Sequence, residues 1–231
     1  MLVGFLVEGW DYLILRAYLG KILGCPEDEL EADRIEALGP GWQFVLRMIP
    51  KALRRFYGKC AQFAVVAIDN DGNLELLNGK LLEDPNHPRH WVHVPVKATC
   101  ERCRWCQLHS QIEATRPALY WLPKKHGAEW PIIIAVPVEA IEAWLLISQF
   151  LLNPKRGSAH AERECRRQFK QRLYGKPEVS RADIETVSLP LIRTLGTEQV
   201  EKLKQLSKSF NQFSEQLNQY RDKILGDPDC W

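Results

Sequence analysis

The sequence lacks the features that would assign it to several common classes of protein. No apolar run reaches the length of about 18 residues that is needed to span a bilayer. The apolar stretch at the N-terminus has no basic region before it, as a signal peptide would have. Neither a G-x-G-x-x-G nor a Walker motif is present, so we expect this chain not to hydrolyse ATP itself. We therefore expect a cytoplasmic protein without a membrane-spanning segment.

Charge and length narrow the field only slightly. The formal net charge of +2 argues neither for nor against a nucleic-acid partner. The 231 residues, of which 45% are hydrophobic, suffice for one domain with a proper core. There are no internal repeats and no low-complexity tracts, and an oligomer is compatible with the sequence.

The first 70 residues have the pattern of a parallel α/β fold. Apolar runs at 2–7 and 61–68 predict buried strands, and residues 34–38 predict a short strand between them. Helical spacing of apolar residues predicts helices over 10–23 and 42–57. The resulting β-α-β-α-β order is typical of a parallel sheet with helices on its faces.

Carboxylates follow two of these apolar runs directly. Glu8 comes after the first, and Asp69 and Asp71 come after the strand at 61–68. Because ligands of open α/β sheets bind beyond the carboxyl ends of the strands, the three side chains are expected to share one edge of the sheet. Such a cluster resists ionisation unless a cation lies in it, and oxygen ligands suit a hard divalent metal. The alternative is that these residues only cap helices or turns.

A further apolar run adds carboxylates to this group. Residues 131–137 predict another buried strand, which leads into a helix predicted over 138–152. That helix carries Glu139 and Glu142, which are three residues apart and therefore lie on one face.

Together these stretches resemble the TOPRIM domain of topoisomerases, primases and the overcoming-lysogenization-defect nucleases. That family pairs a Glu after its first strand with Asp-x-Asp after a later one, which correspond here to Val7-Glu8-Gly9 and Asp69-Asn70-Asp71. Two further segments are similar to one group of stand-alone bacterial TOPRIM-like proteins: Glu-Ala-Trp-Leu-Leu at 142–146 and Ser-Lys-Ser-Phe-Asn-Gln-Phe at 207–213. That group often has an Asp where this chain has Ser148.

The resemblance implies a Rossmann-like TOPRIM fold and a metal-dependent nuclease that hydrolyses phosphodiester bonds in DNA or RNA. It implies that Asp69 and Asp71 hold Mg²⁺ or Mn²⁺, that Glu142 and Glu139 complete the metal shell, and that Glu8 acts as general acid/base or binds a second ion. Proteins of this group often accompany an ABC-type ATPase in anti-phage defence, so such a partner is also implied. The rival hypothesis is a non-catalytic TOPRIM-like module that docks a protein or nucleic-acid partner.

A basic segment offers a contact for the phosphate backbone. Residues 155–176 carry an excess of six positive charges within a helix predicted over 158–174 and its flanks. The side chains that we expect to contact nucleic acid are Arg163, Arg166, Arg167 and Lys170. A solvated helix face explains the same charges equally well.

A cluster of three cysteines and a histidine has the composition of a structural zinc site. Cys100, Cys103, Cys106 and His109 are spaced three apart, and Cys₃His is a known zinc ligand set. The fourth ligand is alternatively His90 or His93. An iron–sulfur cluster and ordinary packing cysteines are the other interpretations.

These features divide the chain into three parts. Residues 1–152 are expected to form the TOPRIM-like domain, with 84–130 as a zinc-stapled insertion outside its β-α-β core. Residues 153–231 are expected to form a helical extension packed on the same domain, with helices over 181–194 and 197–224.

Overall fold

The computed structural model describes residues 1–36, 42–69, 76–77, 80–81, 104–119, 130–137, 140–164 and 166–226. Its strands are β1 (Leu2–Val7), β2 (Glu31–Glu36), β3 (Phe63–Ala67), β4 (Leu76–Leu77), β5 (Lys80–Leu81) and β6 (Ile132–Ala135). Its helices are α1 (Asp11–Leu23), α2 (Trp42–Gly58), α3 (Arg104–Leu119), α4 (Ile141–Leu152), α5 (Phe169–Tyr174), α6 (Arg181–Asp183), α7 (Leu189–Thr194), α8 (Thr197–Leu206), α9 (Lys208–Gln219) and α10 (Arg221–Leu225). A π-helical turn, Ile184–Ser188, joins α6 to α7.

Four strands form one parallel sheet in the order β2-β1-β3-β6. The strand order changes direction between β1 and β3, because the chain runs from β1 outward to β2 and then returns to the other side of β1. Such a switch point is where parallel α/β sheets bind ligands, just beyond the carboxyl ends of the strands. The predicted α/β class with a mainly parallel sheet flanked by helices is confirmed.

Two helical layers cover the sheet. One face, with Phe5 and Val65, packs against α1, α4 and helices of the C-terminal region. The other face, with Leu6 and Val66, packs against α2 and α3. Alternate residues of each central strand thus face opposite cores, which is why these strands are apolar throughout.

The helix α3 corrects the expectation that the segment 84–130 stands outside the core. Its residues Trp105, Leu108 and Ile112 are buried in the layer that α2 forms on the sheet. They follow helical spacing, but the neighbouring cysteines drew the interpretation towards a metal-stapled loop. For its described part, this segment is one of the helices that complete the second layer.

Three other boundaries differ from the predicted ones. The second strand begins at Glu31, because its alternation is masked by Asp33, a buried carboxylate that is paired with Arg55 and Lys59 of α2. The helix predicted over 138–152 begins at Ile141.

The helix predicted over 158–174 is broken into the 3₁₀ turns Ala161–Arg163 and Arg166–Gln168, followed by α5. Glu164, between the two turns, accepts hydrogen bonds from Ser158 and Arg172, and these side-chain contacts replace a continuous helix. The helix predicted over 197–224 is interrupted at Ser207, whose hydroxyl oxygen accepts a hydrogen bond from Phe210 N at 3.0 Å and so caps α9.

The outer edge of β6 is closed by a side chain. The Gln216 amide donates to the carbonyl oxygen of Ile134 at 2.8 Å and accepts from the Ile134 N–H at 3.0 Å. Gln216 thus supplies both bonds that a further strand would make, which protects the edge against pairing with another chain. Among the helices of the described residues, none is long and apolar enough to cross a membrane.

Candidate functional site

Three of the predicted carboxylates lie at the carboxyl ends of neighbouring strands. Glu8 directly follows β1, Asp69 lies two residues beyond β3, and Glu142 is the second residue of the helix that follows β6. Since β1 and β3 flank the switch point, the sheet topology itself brings Glu8 and Asp69 to the expected ligand site.

A hydrogen bond ties the end of β3 to the start of α4. The backbone N–H of Ile141 donates to Asp69 Oδ1 at 3.1 Å. The residue before α4 is Ala140, which has no side-chain acceptor for this purpose. Asp69 therefore caps α4 from a distant part of the chain, and its negative charge suits the positive end of a helix.

The charge of Asp69 is nevertheless strongly disfavoured. Burial raises the pKa of Asp69 well above its ordinary value, and the negative charges of Asp11, Glu142 and Glu8 raise it further. The Arg166 guanidinium opposes this rise. Such mutual repulsion shows that the four carboxylates lie within electrostatic reach of one another.

Asp11 is the member of this cluster that the sequence did not identify as a site residue. It is the first residue of α1, and its N–H donates to the Glu8 carbonyl oxygen at 3.4 Å. Burial raises the pKa of Asp11 well above its ordinary value, with further contributions from Glu142 and Glu8. Its position three residues after Glu8, in the first turn beyond β1, was the available signal. We had interpreted Asp11 only as a helix cap, yet it makes no side-chain cap bond.

Glu142 is the most buried carboxylate of the cluster, with 5% of its surface exposed. Burial raises its pKa, and the positive charges of Lys170 and Arg166 limit that rise. Lys170 Nζ lies 3.9 Å from Glu142 Oε1 while about half of its own side chain is exposed. A cation at the surface thus partly offsets the buried negative charge.

The basic segment therefore adjoins the carboxylates at two of its four predicted contact residues. Arg166 and Lys170 are exposed and act electrostatically on the cluster. Arg163 is exposed in the preceding 3₁₀ turn. The side chain of Arg167 lies outside the described part of the structure.

Several predicted ligands also lie outside the described residues: Asp71, Glu139, Cys100 and Cys103, together with the alternatives His90 and His93. Within the described ranges, no three His, Cys, Asp or Glu side chains are arranged to hold a metal ion. The four clustered carboxylates are thus close enough to interact electrostatically, but no three of them converge as ligands would.

The two described members of the cysteine cluster lie on α3. Cys106 is buried in the core between α3 and the sheet, and the half-buried His109 stacks on Trp105 with ring centroids 4.8 Å apart. Since they are three residues apart on a helix, they share a face with the position of Cys103. Zinc binding stays a prediction.

The two motifs that carried the finer resemblance pack against each other. Trp144 is completely buried, forms ring contacts with Phe210 and Phe213, and donates from Nε1 to Ser209 Oγ at 2.7 Å. The carboxylate of Glu162 accepts hydrogen bonds from both Ser207 and Ser209. These motif residues hold α4 and α9 together, and so they position Glu142 at the start of α4.

Ser148, where the resembling group often has an Asp, lies in the core. It is fully buried and shares a hydrogen bond of 2.8 Å with the hydroxyl of Tyr18. An ionised carboxylate at this position would be buried beside Tyr18, at a cost of several kcal/mol unless it were paired.

The comparisons with known proteins place the chain in no family. No protein-family model matches the sequence, and neither a curated protein nor a solved structure is significantly similar to it. What the chain does must therefore be inferred from its own residues.

Proposed function

We propose that the chain is a TOPRIM-like, metal-dependent nuclease that hydrolyses phosphodiester bonds in DNA or RNA. The observation that carries the proposal is the group of Glu8, Asp11, Asp69 and Glu142 at the switch point of a parallel sheet, where each carboxylate makes ionisation of its neighbours harder. Folding brings such groups together at a cost in stability, and a divalent cation is the simplest ligand that offsets it.

The donor set fits Mg²⁺ or Mn²⁺. Carboxylate oxygens are the ligands that both ions prefer, whereas the described cluster contains no thiolate or imidazole. Asp69, Asp11 and Glu142 would hold the ion, together with the predicted Asp71 and Glu139. When bound, the ion supplies charge neutralisation at the phosphate and lowers the pKa of an attacking water.

The chain's own residues supply the remaining chemistry. Glu8, at the end of β1, would accept the proton of the attacking water or return it to the leaving oxygen. Lys170 and Arg166, exposed beside Glu142, would bind the phosphate and draw the strand onto the cluster. The Trp144 contacts described above keep Glu142 fixed relative to β6.

The predicted context belongs to the same proposal. The resemblance to stand-alone TOPRIM-like proteins supports a role as the effector of an anti-phage defence system with an ABC-type ATPase partner. The same resemblance supports a zinc-stapled segment around Cys106 and His109. The hydrolysis of ATP would then belong to the partner.

A non-catalytic binding module is the second candidate, and the pairing of Lys170 with Glu142 favours it. Because Lys170 and Arg166 already offset part of the negative charge, the cluster can persist without a metal. Such a surface would dock a protein or nucleic acid without cutting it.

Cleavage of labelled DNA and RNA separates the two candidates. The protein is incubated with each substrate in Mn²⁺ or EDTA, with and without the ATPase encoded beside it. The nuclease proposal predicts cleavage in Mn²⁺ that EDTA abolishes. Binding without cleavage under every condition would favour the docking module instead.

A further inference from the structure

The loop between β1 and α1 presents an aromatic ring directly beside the carboxylate cluster. Trp10 lies between Glu8 and Asp11 in this loop, and it is half-buried. Gly9, which precedes it, is exposed, has a φ of +54° and has open space where a side chain would be. The turn at Gly9 therefore leaves an open approach between Glu8 and the indole.

Two arginines accompany this ring. The guanidinium carbon of Arg34, on β2, lies 4.8 Å from the Trp10 ring centroid and 4.9 Å from that of Tyr12. Arg181, at the start of α6, lies 5.8 Å from the Trp10 ring centroid. Strand β2, helix α6 and the loop after β1 thus contribute to one group of aromatic and cationic side chains, which we call the Trp10 platform: Trp10, Tyr12, Arg34 and Arg181.

Arg181 is the mobile element of the Trp10 platform. Its side chain is 55% exposed, and its Nε donates to Glu185 at 2.7 Å, four residues along the chain. Exposed ion pairs of this kind contribute little, typically below about 1 kcal/mol. A ligand that stacks on the indole can therefore move Arg181 aside at small cost.

The Trp10 platform and the basic segment lie on opposite sides of the carboxylates. Arg166 and Lys170 act on Glu142, which follows β6. Arg34 comes from β2, at the other edge of the same sheet. A polyanion that places one phosphate at the carboxylates would meet positive charge in both directions along the sheet edge.

We propose that the chain binds single-stranded nucleic acid across this edge, with one base stacked on Trp10 and the adjoining phosphates contacted by Arg34 and Arg181. This inference deepens the proposed nuclease function and rests on it. Aromatic rings take bases that are unstacked from a duplex, whereas paired bases offer no free face. Arg181 exchanges its place near the ring for a phosphate contact when the base arrives.

Binding is measured by fluorescence anisotropy with labelled single-stranded DNA, single-stranded RNA and the matched duplex, in Ca²⁺ over a series of salt concentrations. The variants are Trp10→Ala, Trp10→Phe and Arg181→Ala. Lys202→Ala is the matched control, because Lys202 forms an equivalent exposed pair with Glu198 four residues away, on α8.

We expect Trp10→Ala to weaken single-strand binding about tenfold and Trp10→Phe to change it less than about threefold, since base–aromatic stacking tolerates another ring. Arg181→Ala should lower the slope of log affinity against log salt by about 0.7, the value for one phosphate contact on a single strand, whereas Lys202→Ala leaves that slope unchanged. DNA and RNA arms show which strand binds more tightly.

Tighter binding of the duplex than of both single strands, or an unchanged salt slope in Arg181→Ala, would overturn the inference. If Trp10→Ala proves unfolded by circular dichroism, the Arg181 and Trp10→Phe results decide it. Failure of the proposed nuclease function is a separate result: the wild-type protein would then bind single strands through Trp10 and cut neither DNA nor RNA in Mn²⁺.

Discussion

Asp69 combines a structural contact with an unfavourable charge. It accepts the Ile141 N–H at the start of α4, and it lies among carboxylates that raise its pKa. The two effects have opposite signs for stability in the absence of metal. They can be separated, because Asn keeps the acceptor oxygen and loses the charge, whereas Ala loses both.

We expect Asp69→Asn to stabilise the metal-free protein at pH 7 by about 1 kcal/mol, the equivalent of roughly one pKa unit. Asp69→Ala should lie about 1 kcal/mol below Asp69→Asn, because it removes the cap of α4. Urea denaturation in EDTA measures both. If Asp69→Asn were less stable than the wild type, repulsion within the cluster would not govern this site.

Glu8 has a chemical role in the proposed reaction, so its neutral analogue should separate binding from turnover. We expect Glu8→Gln to bind single-stranded substrate as the wild type does and to cut it about 10²–10⁴-fold more slowly, the usual contribution of general acid–base catalysis. Exposed Glu198→Gln serves as the control. A loss of less than tenfold in single-turnover cleavage would remove Glu8 from the mechanism.

At the scale of elements, β2 is held to α2 by a buried charge. Although burial alone would raise it, hydrogen bonds from Arg55 and Lys59 hold the pKa of Asp33 below its ordinary value. Arg55 makes two of these bonds, at 3.1 and 2.5 Å, and Lys59 makes one at 3.1 Å. This carboxylate is the contact that fixes a short polar strand at the edge of the sheet.

A lowered pKa in the folded state means that the stabilisation is present above the unfolded-state pKa of about 3.9 and is lost as the pH falls through the folded-state value. We expect Asp33→Asn to cost about 1–3 kcal/mol at pH 7, as hydrogen bonds to charged groups do. The difference from the wild type should shrink below pH 4. Chemical denaturation at a series of pH values measures it, and a difference that stays constant down to pH 3 would contradict the account.

The elements also show how far the sequence predicts this fold and where it fails. The buried strands β1, β3 and β6 and the helices α1 and α2 follow from apolar periodicity, because each buries the side that the pattern marks. The strand β2 was displaced because its central residue is a buried Asp33, whose partners lie on another element. The breaks within the C-terminal helices come from tertiary hydrogen bonds, such as those of Glu162 with Ser207, which local propensity does not encode.

The same distinction holds within the candidate site. Glu8 and Asp69 were predictable because they follow apolar runs, and the parallel sheet places such residues together. Asp11 was missed, since a carboxylate in the first turn of a helix is ordinarily a cap. The adjacency of Lys170 to Glu142 depends on the path of the chain after α4, and sequence spacing does not show it.

At the scale of the whole molecule, the segment around Cys106 bears on both core and metal content. If Cys100, Cys103, Cys106 and His109 hold zinc, purified protein should be colourless and contain about one zinc per chain. Since α3 belongs to the core, Cys103→Ser should then lower the overall melting temperature rather than loosen a separate loop. Elemental analysis without zinc or iron would leave Cys106 as a packing residue.

The whole molecule brings four carboxylates to one edge of a parallel sheet, and the central claim is that they bind a divalent cation. Titration of metal-free protein with Mn²⁺, followed by calorimetry or by electron paramagnetic resonance of the free ion, tests this claim most directly. We expect saturable binding in the wild type and at least tenfold weaker binding in Asp69→Asn and Glu142→Gln, with Glu198→Gln unchanged, because removing a coordinating charge weakens an oxygen-ligand site. Mn²⁺ binding that is absent from the wild type, or that is equal in all four proteins, would contradict the account.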